Sequence, residues 1–303
     1  MQHLWSGVCY ELPVLRWIYS FHMPLFMALV GYFSVSLLQR GVAEGLWRRF
    51  QQLVIPAWMV LLVNIMLGLI VINTPRELLY RLLHDLWFLK SAFICTALFV
   101  ISTHNARFRT AGLIASLVVS QMLNVVTVPL MYPCFVFGYL LRRYASYIRA
   151  HRGAVALVSG IIFILLIPWD SLFWPGIGID SRSMLFLCVK RVYRLVLGCS
   201  ATVALICLFE MFCEGRHVPG WLVAVGQSTL GIYLVQSVLL ERLLPIAVSF
   251  DGWPEWAFSL LVTPAIAACT VAACMLLIRL LRLHRLTGYL FLGTPLRRRS
   301  CRT

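Results

Sequence analysis

The sequence predicts an all-α fold, a polytopic bundle of transmembrane helices with about nine spans, and three observations carry that prediction. The chain of 303 residues is 61 % hydrophobic and only 12 % charged, too apolar for a soluble protein of this size. Apolar runs of about 18 residues or more recur along its whole length, and each can cross a hydrocarbon core of roughly 30 Å as a helix. The basic residues fall between these runs and unequally on their two sides. Of the 26 lysines and arginines, 17 lie on one side, eight on the other, and Lys90 lies inside a span. The positive-inside rule then sets the N-terminus outside and the C-terminus inside. The net charge of +15 is therefore loop charge scattered along a membrane chain, not a basic face for nucleic acid.

In chain order the predicted spans are 17–38, 50–72, 86–103, 111–127, 128–141, 154–169, 195–212, 221–243 and 257–278. The first opens with "FHMPLFMALVGYF". Proline is well tolerated in a first helical turn, so Pro24 predicts a helix start or a break, with His22 at the outer end of the span. An imidazole with a reference pKa of about 6.5 can take or give a proton near neutrality, as transfer to or from a hydroxyl requires. Before the second span, "RRFQQLVIPAW" places Arg48 and Arg49 on the inner side. Guanidinium groups bind phosphate bidentately, although the same pair also satisfies the positive-inside rule with no ligand.

In the third span, "DLWFLKSAFICTALF", Trp87 and Lys90 stand one helical turn apart near the outer end. Tryptophan offers a face to sugar C–H groups, and lysine can donate to an acyl oxygen or a sugar hydroxyl. Both also serve as interfacial anchors. The fifth span is short and holds Pro129 and Pro133. Lys190, Arg191 and Arg194 precede the seventh span on the outer side, against the charge rule, so residues 176–194 read as a re-entrant or interfacial segment. Its ligand would be an anionic glycan, a lipid-linked sugar phosphate or lipid headgroups. Glu210, near the inner end of the seventh span, is expected to face water. In the eighth span Thr229, Tyr233 and Gln236 share a helix face. An unpaired amide at mid-bilayer is costly, so Gln236 either joins two helices or lines a substrate path. Beyond the ninth span, residues 279–303 form a basic cytoplasmic tail, and residues 1–303 form one membrane domain.

Ten cysteines show no CxxC pair or metal-ligand spacing and lie mostly in apolar runs, which points to neither disulfides nor metal. Walker-type glycine loops, GxSxG and HExxH motifs and internal repeats are absent from the sequence.

Five segments in order, "FHMPLFMALVGYF", "RRFQQLVIPAW", "DLWFLKSAFICTALF", "YPCFVFGYLLRR" and "VGQSTLGIYLVQ", give the chain a family likeness. It resembles the membrane acyltransferase-3 family over nearly its whole length, in particular the fucose 4-O-acetylase-like branch. The resemblance implies ten helices in a bacterial inner membrane. It implies transfer of an acyl group, usually acetyl from cytoplasmic acetyl-CoA, to a sugar or glycan hydroxyl, with membrane lipids and glycan-assembly proteins as partners. His22 and Lys90 then become catalytic, and Arg48 and Arg49 hold acetyl-CoA. Trp87, Arg191, Arg194, Tyr233 and Gln236 bind the acceptor. The family also carries a Gly-His pair ahead of this point, whose histidine is the main base. Met1-Gln2-His3-Leu4 begins just past it and His3 does not match, so the family's first helix is expected to be missing here. The rival reading is a non-enzymatic membrane protein, either a glycan-precursor permease or flippase or an inactive truncated relative. A transporter should show paired interrupted helices in both halves of the chain, and the sequence shows none.

Overall fold

A computed structural model describes residues 13–39, 41–123, 127–168, 184–239 and 258–294. Among these, every regular element is helical and none is a strand. In order they are α1 (Pro13–Phe33), continued by a 3₁₀ segment (Ser34–Gln39), α2 (Val42–Met66), α3 (Pro75–His84) and α4 (Trp87–Thr103). Then come α5 (Arg109–Met122), α6 (Val128–Arg143), α7 (Ala145–Ala150), α8 (Arg152–Leu166) and α9 (Met184–Cys213). The chain closes with α10 (Gly220–Gln227), α11 (Thr229–Val238), a π-helical turn (Phe258–Val262), α12 (Thr263–Leu283) and α13 (Arg285–Leu292).

Each predicted span coincides with a helix or a bent pair of helices, but the spans differ in length. Four segments are long and apolar enough to cross a membrane: Ser20–Gln39, Val42–Met66, Cys188–Cys213 and Leu260–Leu283. The number rises to six if α3 with α4, bent by 69°, and α10 with α11, bent by 62°, each count as one span. Helices α5, α6 and α8 have 14, 16 and 15 residues, short of the roughly 20 that a perpendicular crossing needs. Large apolar side chains such as Leu157, Ile164, Leu165, Phe209 and Phe212 are exposed, as a lipid-facing surface requires.

The described residues fall into two compact units. The first takes Trp47–Phe93 and the described part of Val218–Thr303; the second takes Pro13–Leu46 and Ile94–His217.

In the second unit α1 packs closely on α6, because glycines let the two backbones touch. A Cβ on Gly31 would overlap the Phe135 carbonyl, and one on Gly138 would overlap the Ala28 carbonyl. Small residues at such contacts replace the hydrophobic drive that is missing between helices in lipid. Tyr132, Phe135, Phe99 and Met27 fill the space beside them. The one buried hydroxyl among these four is satisfied, since Tyr132 Oη and Ser116 Oγ are 2.7 Å apart.

The expectation that Pro24 marks a helix start does not hold. Helix α1 begins at Pro13 and runs unbroken through Pro24. Proline inside a helix removes one N–H and crowds the preceding turn. Here its ring fits against Gly198 of α9, where an added Cβ would lie 2.5 Å from Pro24 Cγ. The Ser20 carbonyl, which loses its partner to Pro24, lies on the same side, 3.6 Å from that Cβ position.

The first unit contains both bends. Helix α3 starts cleanly because Thr74 Oγ1 accepts from the Glu77 N–H at 3.2 Å and Pro75 sits where a missing N–H costs nothing. It stops at Asp85, followed by Leu86 at φ 52°, a left-handed conformation that leucine rarely adopts. Helices α11 and α12 share a small core of Ile232, Cys274 and Ile278, into which Leu292 of α13 also packs. The predicted tail is therefore partly helix. Residues 279–283 complete α12, and α13 folds back until Gly293, at φ 60°, meets α2, where a Cβ would lie 2.7 Å from Gln52 Cα. Arg297, Arg298, Arg299 and Arg302 lie outside the described residues.

Candidate functional site

In the first unit, Lys90 is buried in the first turn of α4, with 7 % of its surface exposed. Its Nζ donates to the Asp85 carbonyl and, at 3.3 Å, to the Arg81 carbonyl. Both carbonyls lie at the C-terminal end of α3, where the Arg81 carbonyl also accepts from the Asp85 N–H at 2.9 Å, and a cation is favourable at that end of the helix dipole. The expected snorkelling to the interface is thus replaced by a turn back onto α3. Two of the three ammonium hydrogens hold the bend, and one remains for another acceptor.

Trp87 and Phe88 open α4 with rings 6.0 Å apart and edge-to-face. Phe88 in turn meets Tyr233 of α11 at 6.3 Å. The structure thus brings Trp87, Lys90 and Tyr233 to one place, where the two interrupted helices touch. Backbone breaks at membrane depth persist only where protein buries them or where they line a wet cavity. Thr229 lies beside the second break and donates to the Gly226 carbonyl at 2.8 Å. Gln236 is exposed on α11, and its side chain makes no hydrogen bond among the described residues.

Arg48 and Arg49 lie in the second turn of α2, Arg48 exposed and Arg49 half-buried. The Arg49 Nε is buried with no hydrogen-bond partner. A guanidinium donor without an acceptor, away from water, is unfavourable unless an anion reaches it. On the same helix Asn64 is 6 % exposed, and its Oδ1 also has no partner. A carboxamide in the apolar run "LLVNIM" is visible in the sequence, but its burial is not.

In the second unit, His22 is half-buried in α1 with its Nδ1 3.0 Å from the Ile18 carbonyl. A carbonyl can only accept, so Nδ1 carries the proton, and in the neutral ring Nε2 bears the lone pair. Arg191 and Arg194 do not precede their span in a separate segment. They belong to α9, whose 30 residues run continuously from Met184. The rest of the supposed re-entrant segment, 176–183, lies outside the described residues. Along α9, Arg191, Arg194 and Gly198 follow helical spacing on one face, and Gly198 receives Pro24. His22 and the two arginines therefore lie on helices that touch. Arg191 Nη1 reaches Gln121 Oε1 at 3.4 Å, while the Gln121 amide donates to the Pro129 carbonyl at 2.9 Å. Among the described residues no group of three His, Cys, Asp or Glu could hold a metal ion.

A family model described as an acyltransferase domain matches residues 4–279. The chain belongs to the acyltransferase-3 family. The family model extends through both compact units. Nodulation protein NolL of Mesorhizobium japonicum is 27 % identical over 267 residues, covering 80 % of this chain and 70 % of its own. Nodulation protein NolL of Sinorhizobium fredii is 26 % identical over 272 residues, covering 79 % and 72 %. No solved structure matches. Family membership together with the long apolar helices makes the chain a multi-pass membrane protein of the acyltransferase class.

Proposed function

We propose that the chain is an inner-membrane O-acyltransferase of the fucose 4-O-acetylase-like branch, moving acetyl from acetyl-CoA to a sugar or glycan hydroxyl. The class of reaction rests on the family match over residues 4–279. The observation that carries the donor is Arg49, whose buried Nε has no acceptor beside the exposed Arg48. A pair of guanidinium groups at the arginine-rich, cytoplasmic end of α2 suits the phosphates of the coenzyme.

The chemistry assigns each residue one task. The acceptor hydroxyl gives its proton to His22 Nε2 as its oxygen attacks the thioester carbon. The C–S bond breaks and the coenzyme leaves as thiolate, which takes up a proton. Lys90, in the first unit, keeps one N–H for an acyl or sugar oxygen. Trp87 and Tyr233 offer ring faces to sugar C–H groups, Gln236 a carboxamide to sugar hydroxyls, and Arg191 and Arg194 charge to an anionic glycan carrier. Membrane lipids and glycan-assembly proteins are the partners this reading expects.

Purified protein should release free thiol from acetyl-CoA only when a glycan acceptor is present. Arg49→Gln should raise the KM for acetyl-CoA about tenfold or more, and Arg49→Lys should restore little, because an ammonium lacks the bidentate fork. Unchanged donor kinetics in Arg49→Gln would remove the donor assignment.

One observation favours a second reading. The interrupted helices expected of a transporter occur in both halves of the chain, α3 with α4 and α10 with α11. A glycan-precursor permease would use those breaks for substrate passage and would consume no thioester, so the thiol assay separates the two readings.

A further inference from the structure

At the arginine-rich end of the second unit, α6, α7 and α9 enclose a groove with apolar walls. Leu141, Ala145, Ile148, Val203 and Ile206 line it, and Tyr32 and Glu210 stand among them. Glu210 does not simply face water, as its place near the end of a span suggests. The two polar liners each lie beside an arginine. Arg142 Nη1 donates to Tyr32 Oη at 3.2 Å and lies over its ring, 5.2 Å from the centroid. Arg149 Nε is 3.9 Å from Glu210 Oε1, an ion pair too long for a hydrogen bond. The Arg149 side chain is 57 % exposed, so its donors remain open to another acceptor. Arg143 is exposed at the end of α6, and Arg152 pairs with Glu214 nearby. Four arginines against two glutamates leave this end positive. Tyr144 and Tyr147 are exposed beside it, as aromatic side chains are at a membrane interface.

We propose that this groove holds an anionic phospholipid, with an acyl chain along the apolar wall and its phosphate between Arg142 and Arg149. The argument is charge complementarity joined to an apolar slot. A zwitterionic lipid would offer the same chain, but its ammonium would meet the excess of arginines. Phosphate suits two guanidiniums that already lie beside the polar liners, and each contact is charge-assisted. The site rests on the membrane reading alone and is independent of acyl transfer.

The test measures thermal unfolding of the full chain in nanodiscs of phosphatidylcholine, with phosphatidylglycerol added in steps. A saturable rise in Tm with phosphatidylglycerol, lost in Arg142→Gln/Arg149→Gln, supports the site. Ala145→Phe fills the groove and keeps every charge, and it too should abolish the rise. This second variant keeps the test open if the arginine pair proves necessary for folding. An equal rise in both variants, or the same effect from added phosphatidylcholine, overturns the proposal. Displacement of phosphatidylglycerol by free CoA also overturns it, because the groove would then belong to the acyl donor.

Discussion

At the scale of single residues, His22 carries the sharpest prediction. Its Nδ1 lies 3.0 Å from the Ile18 carbonyl within its own helix, which makes Nε2 the basic nitrogen of the neutral ring. His22→Ala should lower acyl transfer about 10²- to 10⁴-fold, the usual worth of a general base, while circular dichroism stays unchanged. His22→Asn keeps a polar donor but has no basic nitrogen, and it should be as slow. Full turnover in either variant removes His22 from the chemistry. Asn64 makes the opposite prediction. Its buried Oδ1 has no donor, so Asn64→Leu should raise stability by about 1 kcal/mol in a chemical unfolding titration. A loss of stability would mean that the carboxamide is satisfied in the native membrane.

At the scale of helices, the sequence-based reading locates helical segments and misses how several of them are joined. Apolar character is a local property, so nine apolar segments are legible in composition, while only four, or six with the bent pairs, are long enough to cross. Pro24 reads locally as a helix start or a break because its host, Gly198, lies on α9, and no local pattern reports a long-range fit. The bend before Trp87 was illegible for another reason. No glycine or proline marks it; Leu86 takes the left-handed turn, and Lys90 holds the α3 carbonyls. Tyr233 and Trp87 were each singled out by residue type, but Phe88, the ring that joins them, was hidden among other apolar residues. Within the predicted tail, α13 is not visible to a reading by charge, because its apolar residues stand among arginines. Packing between helices makes its own prediction. Gly138→Ala drives a methyl group into the Ala28 carbonyl, and the backbones of α1 and α6 must separate to admit it. Overpacking of this kind costs about 1–3 kcal/mol. The variant should unfold at lower denaturant than Gly153→Ala, where nothing lies within 4 Å of the added Cβ.

At the scale of the whole molecule, the number of membrane crossings follows from which bent or short helices pass through. Asn73, Asn105, Thr127 and His151 are exposed and lie between successive helical segments, so a cysteine at each reports its side. The native cysteines are replaced by serine, and intact cells are treated with an impermeant maleimide. By the positive-inside rule residue 151 is expected inside, since Arg142, Arg143, Arg149 and Arg152 surround it. Between residues 73 and 105 stands only the bent pair α3 and α4. If the pair is one broken span, Asn73→Cys is labelled and Asn105→Cys is not. If it is re-entrant, the two behave alike. Helices α5 and α6 decide the third position. Should both cross despite their 14 and 16 residues, Thr127→Cys is labelled from outside. A short helix can cross where the bilayer thins or where neighbours shield its ends, at a modest cost per ångström of mismatch. The buried face of α6, where Val128, Tyr132, Phe135 and Tyr139 are each at most 5 % exposed, supplies that shielding. Labelling is therefore expected at residues 73 and 127 and not at 105 and 151. Protection of residue 127 would turn α5 and α6 into a hairpin that enters and leaves by the same side.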